Sequence, residues 1–77
     1  MINLIESGKM MHMAAKSSKY SVAEICREMG ITTTAMYYWF RGELLPSIDN
    51  LFLFAEIVGK RPDELIVYKK KFEEKAA

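Results

Sequence analysis

The stretch SVAEICREMGITTTAMYYWFRG, residues 21–42, decides how the rest of the chain is read. Val22, Ile25, Cys26 and Met29 follow the i, i+3, i+4, i+7 spacing of one helical face. Ser21 stands just before that face and Glu24 three residues later. This is a capping box, in which the hydroxyl accepts an orphan N–H and the carboxylate reaches back to the cap. Gly30 falls where a left-handed residue ends a helix, and Thr32 offers a second N-cap. Beyond it the chain carries two stripes. Ala35, Met36 and Trp39, with Ile31 just ahead, are apolar; Thr34, Tyr37, Tyr38 and Arg41 repeat the helical spacing with hydroxyls, rings and a guanidinium.

Two short helices joined by a glycine turn, the second with a polar outer face, form the arrangement expected of a DNA-reading helix-turn-helix, here residues 22–41. The composition bounds what surrounds it. The 77 residues make one domain, 1–77, and the hydrophobic content of 51% is ample for a small core. An unstapled chain of this size buries only about 60% of its unfolded surface. The net charge of +1 lacks the strongly basic signature of a non-specific nucleic-acid binder, so any DNA contact has to come from a local patch. The single cysteine, Cys26, excludes an internal disulfide and any zinc spacing, and its place in the apolar stripe makes it a small core residue. The start of the chain lacks a signal-peptide pattern, and the run LFLFA is too short to span a bilayer. A cytoplasmic, nucleoid-associated location is the expectation, with no membrane partner and no small-molecule ligand.

Five helices are expected in all, at about 3–17, 22–29, 33–41, 47–58 and 62–74, with no strands. In the first, Asn3 and Glu6 form a possible capping box. Leu4, Met11 and Ala15 can share one side. Gly8 costs roughly 1 kcal/mol against alanine, so the helix is expected to start nearer Ser7. Met10, Met11 and Met13 read as flexible core filling rather than a metal cluster, and His12 as a surface or half-buried side chain rather than a ligand or base. In the fourth, Pro46 and Ser47 open the helix, and Ile48, Leu51, Phe54, Ala55 and Val58 make its buried stripe. Phe52, Leu53 and Ile57 are surplus to that stripe, and a helix apolar on most sides is covered more than once. A second copy of the chain is the expected cover. Pro62 suits the first position of helix five. Asp63 and Glu64 near its start and Lys69, Lys70 and Lys71 in its later turns suit the helix dipole. Leu65, Tyr68 and Phe72 would form its apolar seam. The expected dimer interface is therefore Leu53, Ile57, Tyr68 and Phe72.

Taken together, these features resemble the lambdoid phage repressor and Cro family over roughly residues 21–66. The matching residues are Cys26 in mid-helix two, Gly30 and Ile31 at the turn, and Met36 and Trp39 in helix three. Gly42 and Pro46 match beyond it, then Leu51, Ala55, Val58 and Gly59 in helix four, and Pro62, Asp63, Glu64 and Leu65 in the last. The resemblance implies base contacts from Thr33, Thr34, Tyr37 and Tyr38. Threonine bonds to several base edges and packs its methyl on thymine; tyrosine lies along the groove and reaches a phosphate oxygen. It implies phosphate contacts at the front of helix two, here Ser21 and Val22, and just past helix three, here Arg41 and Ser47; Lys19 can add charge at the same edge, and the Thr32 cap completes the expected phosphate set of Lys19, Ser21, Thr32, Arg41 and Ser47. The chain departs from the family where Val22 opens helix two, where Phe40 replaces a frequent glutamate, and where the loop after helix three reads Glu43-Leu44-Leu45 instead of carrying basic residues. A second, local resemblance runs from Ala35 to Pro46. AMYYWFRGELLP is similar to the recognition helix and turn of MerR-type regulators, with the glycine one place early and a helix where those proteins have a β-wing.

The expected function is a sequence-specific transcriptional regulator, repressor- or Cro-like, that binds a palindromic operator in double-stranded DNA as a homodimer and needs no cofactor and no metal. A protein-interaction module on the same fold, such as an antirepressor or adaptor, is the alternative, favoured by the near-neutral charge and the surplus apolar residues. An enzyme is not expected. The sequence has no paired carboxylates in an apolar setting, no glycine-rich phosphate loop and no nucleophile near its histidine.

Overall fold

A computed structural model describes residues 1–69, and these form five helices. They are α1 (Leu4–Ser17), α2 (Val22–Met29), α3 (Thr33–Phe40), α4 (Ile48–Val58) and α5 (Pro62–Leu65). The local signals at residues 21–42 act as expected. Ser21 Oγ accepts from the Glu24 N–H at 3.1 Å, and the Ser21 N–H donates to Glu24 Oε1 at 2.8 Å. Gly30 ends α2 with φ of 71°. Thr32 Oγ1 then accepts from the Ala35 N–H at 3.1 Å and starts α3. Arg41 is the cap residue after α3 rather than its last turn, and Ser47 caps α4 through a 3.2 Å bond from the Asn50 N–H.

The core gathers one side of each helix. Met11, Ala14 and Ala15 of α1 meet Ile25 and Cys26 of α2, then Met36, Trp39 and Phe40 of α3. Phe54, Ala55 and Val58 of α4 and Leu65 of α5 close it. Phe54 is wholly buried, with the Trp39 and Phe40 rings edge-on to it at centroid distances of 6.4 Å. Aromatic pairs prefer this edge-to-face geometry, which sets the positive rim of one ring on the negative face of the other. Val22, Met29, Ile31, Leu51 and Ile57 are half-buried around this centre.

Gly8 is not a weak point in α1. The helix begins at Leu4, with Asn3 Oδ1 accepting from the Glu6 N–H at 3.0 Å, whereas Glu6 pairs with Lys9 and does not complete a capping box. A Cβ on Gly8 would lie 2.5 Å from the carbonyl oxygens of both Trp39 and Phe40. The bare backbone of α1 therefore rests on the last turn of α3. Gly42 makes a second approach of this kind: its Cβ would lie 2.6 Å from Cα of Ile5, and its φ of 76° is one that side chains disfavour.

The ends of the chain differ most from expectation. α5 stops at Leu65 instead of running to residue 74. Ile66 turns extended, and Tyr68 pairs in an isolated antiparallel bridge with Ile2. The Asn3 N–H donates to the Val67 carbonyl at 2.8 Å, and the Lys69 N–H to the Met1 carbonyl at 2.6 Å. Ser7, fully buried, seals this junction. Its Oγ accepts from the Val67 N–H at 2.8 Å and donates to the Val67 carbonyl at 3.5 Å. β-branched Ile66 and Val67 favour an extended backbone, and pairing with residues 1–3 satisfies polar groups that a longer helix would have bonded internally. The Leu65–Tyr68–Phe72 seam therefore does not form: Leu65 is core, Tyr68 is exposed on an extended segment, and Phe72, like Lys70 and Lys71, lies outside the described residues. Other apolar residues are also exposed where burial was expected. Ile48 is 75% exposed and outside the α4 stripe, Leu4 is exposed in α1, and Met10 and Met13 stand in solvent while only Met11 fills the core. No helix among the described residues is long and apolar enough to cross a membrane.

Two substitutions test this packing by chemical or thermal unfolding. Trp39→Ala is expected to lose about 3–5 kcal/mol, as removal of a buried aromatic does; wild-type stability would mean that α3 is rotated from the phase described. Gly8→Ala is expected to destabilise by about 1–3 kcal/mol through overpacking. In an exposed helix the same change gains about 1 kcal/mol, so the sign of the effect decides whether the two backbones meet.

Candidate nucleic-acid interface

The outer face of α3 is set by what its inner face buries. Met36, Trp39 and Phe40 point into the core, which leaves Thr33, Thr34, Tyr37 and Tyr38 exposed along the helix. The four residues implied as base readers are thus brought together on one exposed helix. Both tyrosines remain only partly exposed, at 38% each, because each ring rests on a neighbour. Tyr37 is edge-on to Phe40 at 5.3 Å and to His12 at 5.9 Å. The Arg41 guanidinium lies over the Tyr38 ring, 5.1 Å from its centroid, within the range of a cation–π contact. The rings are therefore held on the surface rather than free to sweep it.

The residues implied as phosphate contacts fall into two groups. Ser21, Thr32 and Ser47 are the N-caps of α2, α3 and α4. Each hydroxyl oxygen accepts a backbone N–H of its own helix, and its hydrogen remains available to donate. Helix N-termini also present partial positive charge to an anion. Lys19 and Arg41 supply formal charge, and both are exposed. Arg41 is not free, however. Its Nε donates to Glu43 Oε2 at 2.9 Å, and this bond, with the carboxylate's charge, raises the guanidinium pKa further above its ordinary value. An exposed pair of this kind is weak, because water and salt screen it. A phosphate oxygen can replace the carboxylate, with Glu43 left as a nearby opposing charge. The departure noted at Glu43 in the sequence thus has a direct physical consequence at Arg41.

His12 is half-buried, as its sequence context suggested, but its place beside the outer face of α3 was not read from the sequence. It stacks on Phe40 at 4.4 Å with planes 7° apart, and meets the edge of Tyr37. Through these rings α1 touches the exposed side of α3. The available signal was its spacing: His12 lies one turn after Gly8, on the side of α1 that approaches α3. Loss of hydration lowers the His12 pKa, and Lys16 one turn on lowers it further.

No family model, curated protein or solved structure matches this chain, so the repressor and Cro resemblance rests on the residues that carry it.

The His12 shift fixes the sign of a pH effect. Because the folded state holds the imidazolium less readily than the unfolded chain, the unfolded state binds more protons on acidification. Stability is complete above the unfolded value of 6.5 and is lost as pH falls through the lower folded value. Thermal unfolding of wild type should therefore show a midpoint that falls as the solution is acidified below about pH 6.5. His12→Gln should flatten that slope, and an unchanged slope would show that His12 is not the group responsible.

Proposed function

We propose that this chain is a sequence-specific, double-stranded-DNA-binding transcriptional regulator of the phage or prophage repressor and Cro type. In this reading α2 and α3 form a helix-turn-helix, and α3 enters the major groove. A homodimer binds a palindromic operator, each copy reading one half-site. The observation that carries the reading is the division of α3 into a locked inner face and an exposed outer one holding Thr33, Thr34, Tyr37 and Tyr38. A core-facing side is expected of any small bundle. An outer face of hydroxyls and fixed phenols, with the Thr32 cap at one end of α3 and the Arg41 guanidinium at the other, has the donors and acceptors that base edges and phosphates take. The modest local charge makes single-copy affinity low, and two half-sites held together compensate through effective concentration.

A protein-interaction module is the second reading. Arg41 is already paired with Glu43, and the apolar side chains of Leu44, Leu45, Ile48 and Phe52 stand exposed in the same loop and the helix after it. Salt dependence separates the readings, because only a DNA reader has to release counterions.

The test is selection from a randomised duplex library at several salt concentrations, with three variants alongside wild type. A palindrome is expected, its half-sites roughly 34–36 Å apart centre to centre. Arg41→Ala should weaken binding to all sequences alike and lower the salt slope by about 1. Thr34→Ala should relax one base position in each half-site by about 1–3 kcal/mol. Glu43→Gln should strengthen binding to every sequence, since it removes the charge that opposes a phosphate at Arg41. Weak, salt-insensitive binding by wild type would end the DNA reading in favour of the protein-interaction module.

A further inference from the structure

Tyr37, on the exposed side of α3, stands upright against a stack of two other rings. His12 of α1 lies flat on Phe40, with centroids 4.4 Å apart and planes within 7°. The Tyr37 ring is nearly perpendicular to both, at 84° and 5.9 Å from His12 and at 86° and 5.3 Å from Phe40. Phe40 is buried in the core and cannot move aside, whereas His12 is half-buried at the edge of the stack. Of the three rings only the imidazole gains a charge between about pH 8 and pH 5. The neighbouring Tyr38 is held differently, beneath the Arg41 guanidinium, whose charge is constant over that range.

We infer that the neutral His12 ring braces Tyr37, and that acidification frees Tyr37 and blunts sequence discrimination by the outer face of α3. The surroundings of His12 set the direction. On α1, Lys16 lies one turn on and acts on the imidazole through its charge, and Lys9 one turn back is paired with Glu6, the one carboxylate of that helix. On α3 the only titratable side chains are the phenols of Tyr37 and Tyr38, and Arg41 just beyond is paired with Glu43. Neither helix offers the imidazole a free carboxylate. An imidazolium kept in the stack is therefore stripped of part of its water with no anion to offset the loss. Swinging outward restores that water. Phe40 then holds Tyr37 alone, and the phenol tilts toward the space that the imidazole left.

This effect runs against general attraction. A new positive charge beside a duplex strengthens binding to every sequence. Acidification should thus raise overall affinity while the preference at the base position read by Tyr37 falls. The bracing is a property of the free protein; the loss of discrimination rests on the DNA reading proposed above.

The experiment has two arms. In the free protein, cross-relaxation between the ring protons of His12 and Tyr37 is followed from about pH 8 to about pH 5. The signal should be present at the alkaline end and vanish with the His12 titration, whose midpoint lies below 6.5, while the signals of Tyr38 stay as they are. His12→Phe leaves a ring that cannot gain charge and should hold Tyr37 at every pH; His12→Ala should leave it loose at every pH. In the second arm, Tyr37→Ala identifies the base position that Tyr37 reads. Preference there is measured as the ratio of affinities for two duplexes differing at that position, so that general attraction cancels. On acidification the ratio should fall about fivefold or more for wild type, within what one good base contact supplies, and stay constant for His12→Phe. A His12–Tyr37 contact that persists through the titration overturns the brace, and wild type alone decides that. A contact that is lost while the ratio stays constant, or a Tyr37→Ala variant with unaltered base preference, overturns the link to discrimination. If the contact is lost as expected and no duplex is selected at any pH, the brace stands and it is the DNA reading that fails.

Discussion

The structure depends on the contact between two backbones where α1 crosses the last turn of α3. Gly8 has no side chain, and the carbonyls of Trp39 and Phe40 occupy the space that one would fill. That approach fixes how deeply α1 sits, and hence whether Met11 reaches the core between Ile25, Met36 and Phe54. It also fixes the rotation of α3. With Trp39 and Phe40 drawn inward beneath α1, Tyr37 and Tyr38 have only the surface left to them. Gly42 repeats the device just past α3, where its backbone meets that of Ile5. The exposed face of α3 is thus a consequence of packing on the opposite side of the same helix.

Much of this was legible in the sequence because it is local. The capping box at Ser21 and Glu24, the left-handed Gly30 and the Thr32 cap each act within a few residues, and each forms as its pattern implies. The helical periods of residues 22–29 and 34–41 marked the inner side for the same reason, with Ile25, Cys26, Met36 and Trp39 buried and Val22, Met29, Ile31 and Ala35 half-buried, but they left out Phe40, which is buried as well. What escaped reading is non-local. Leu65, Tyr68 and Phe72 have helical spacing, and nothing near them in sequence announces that residues 1–3 will pair with residues 67–69. Ser7 reads as an ordinary polar residue until Val67, sixty positions away, supplies both its hydrogen-bond partners. Gly8 reads as a defect until the helix that crosses it is known. Ile48 shows the converse: its spacing fits the α4 stripe, yet it precedes the part of α4 that the other helices cover.

The candidate site was legible by residue type and position, and its electrostatics were only half legible. Glu43 is visible in the sequence as an acidic residue in a place where basic ones would serve phosphate binding. Its bond to Arg41, and the stacking of Arg41 on Tyr38, depend on how the chain turns after Phe40. The result is a surface that carries hydroxyls, held rings and one paired guanidinium. In the proposed reading such a surface would favour discrimination over raw attraction, because charge draws in any polyanion while fixed donors and acceptors select. His12 belongs to the same surface through its stacking on Phe40, so α1 contributes to a face that the sequence assigns to α3 alone.

The claim that most needs a direct answer is that the outer face of α3 is the surface that meets duplex DNA. Titration of the labelled protein with a short duplex carrying the selected sequence, followed through the backbone amide resonances, answers it. The account predicts shifts concentrated at Thr33, Thr34, Tyr37 and Tyr38 and at the caps Ser21 and Thr32, fading as salt is raised. Shifts that spare α3, or that persist unchanged at high salt, would contradict it.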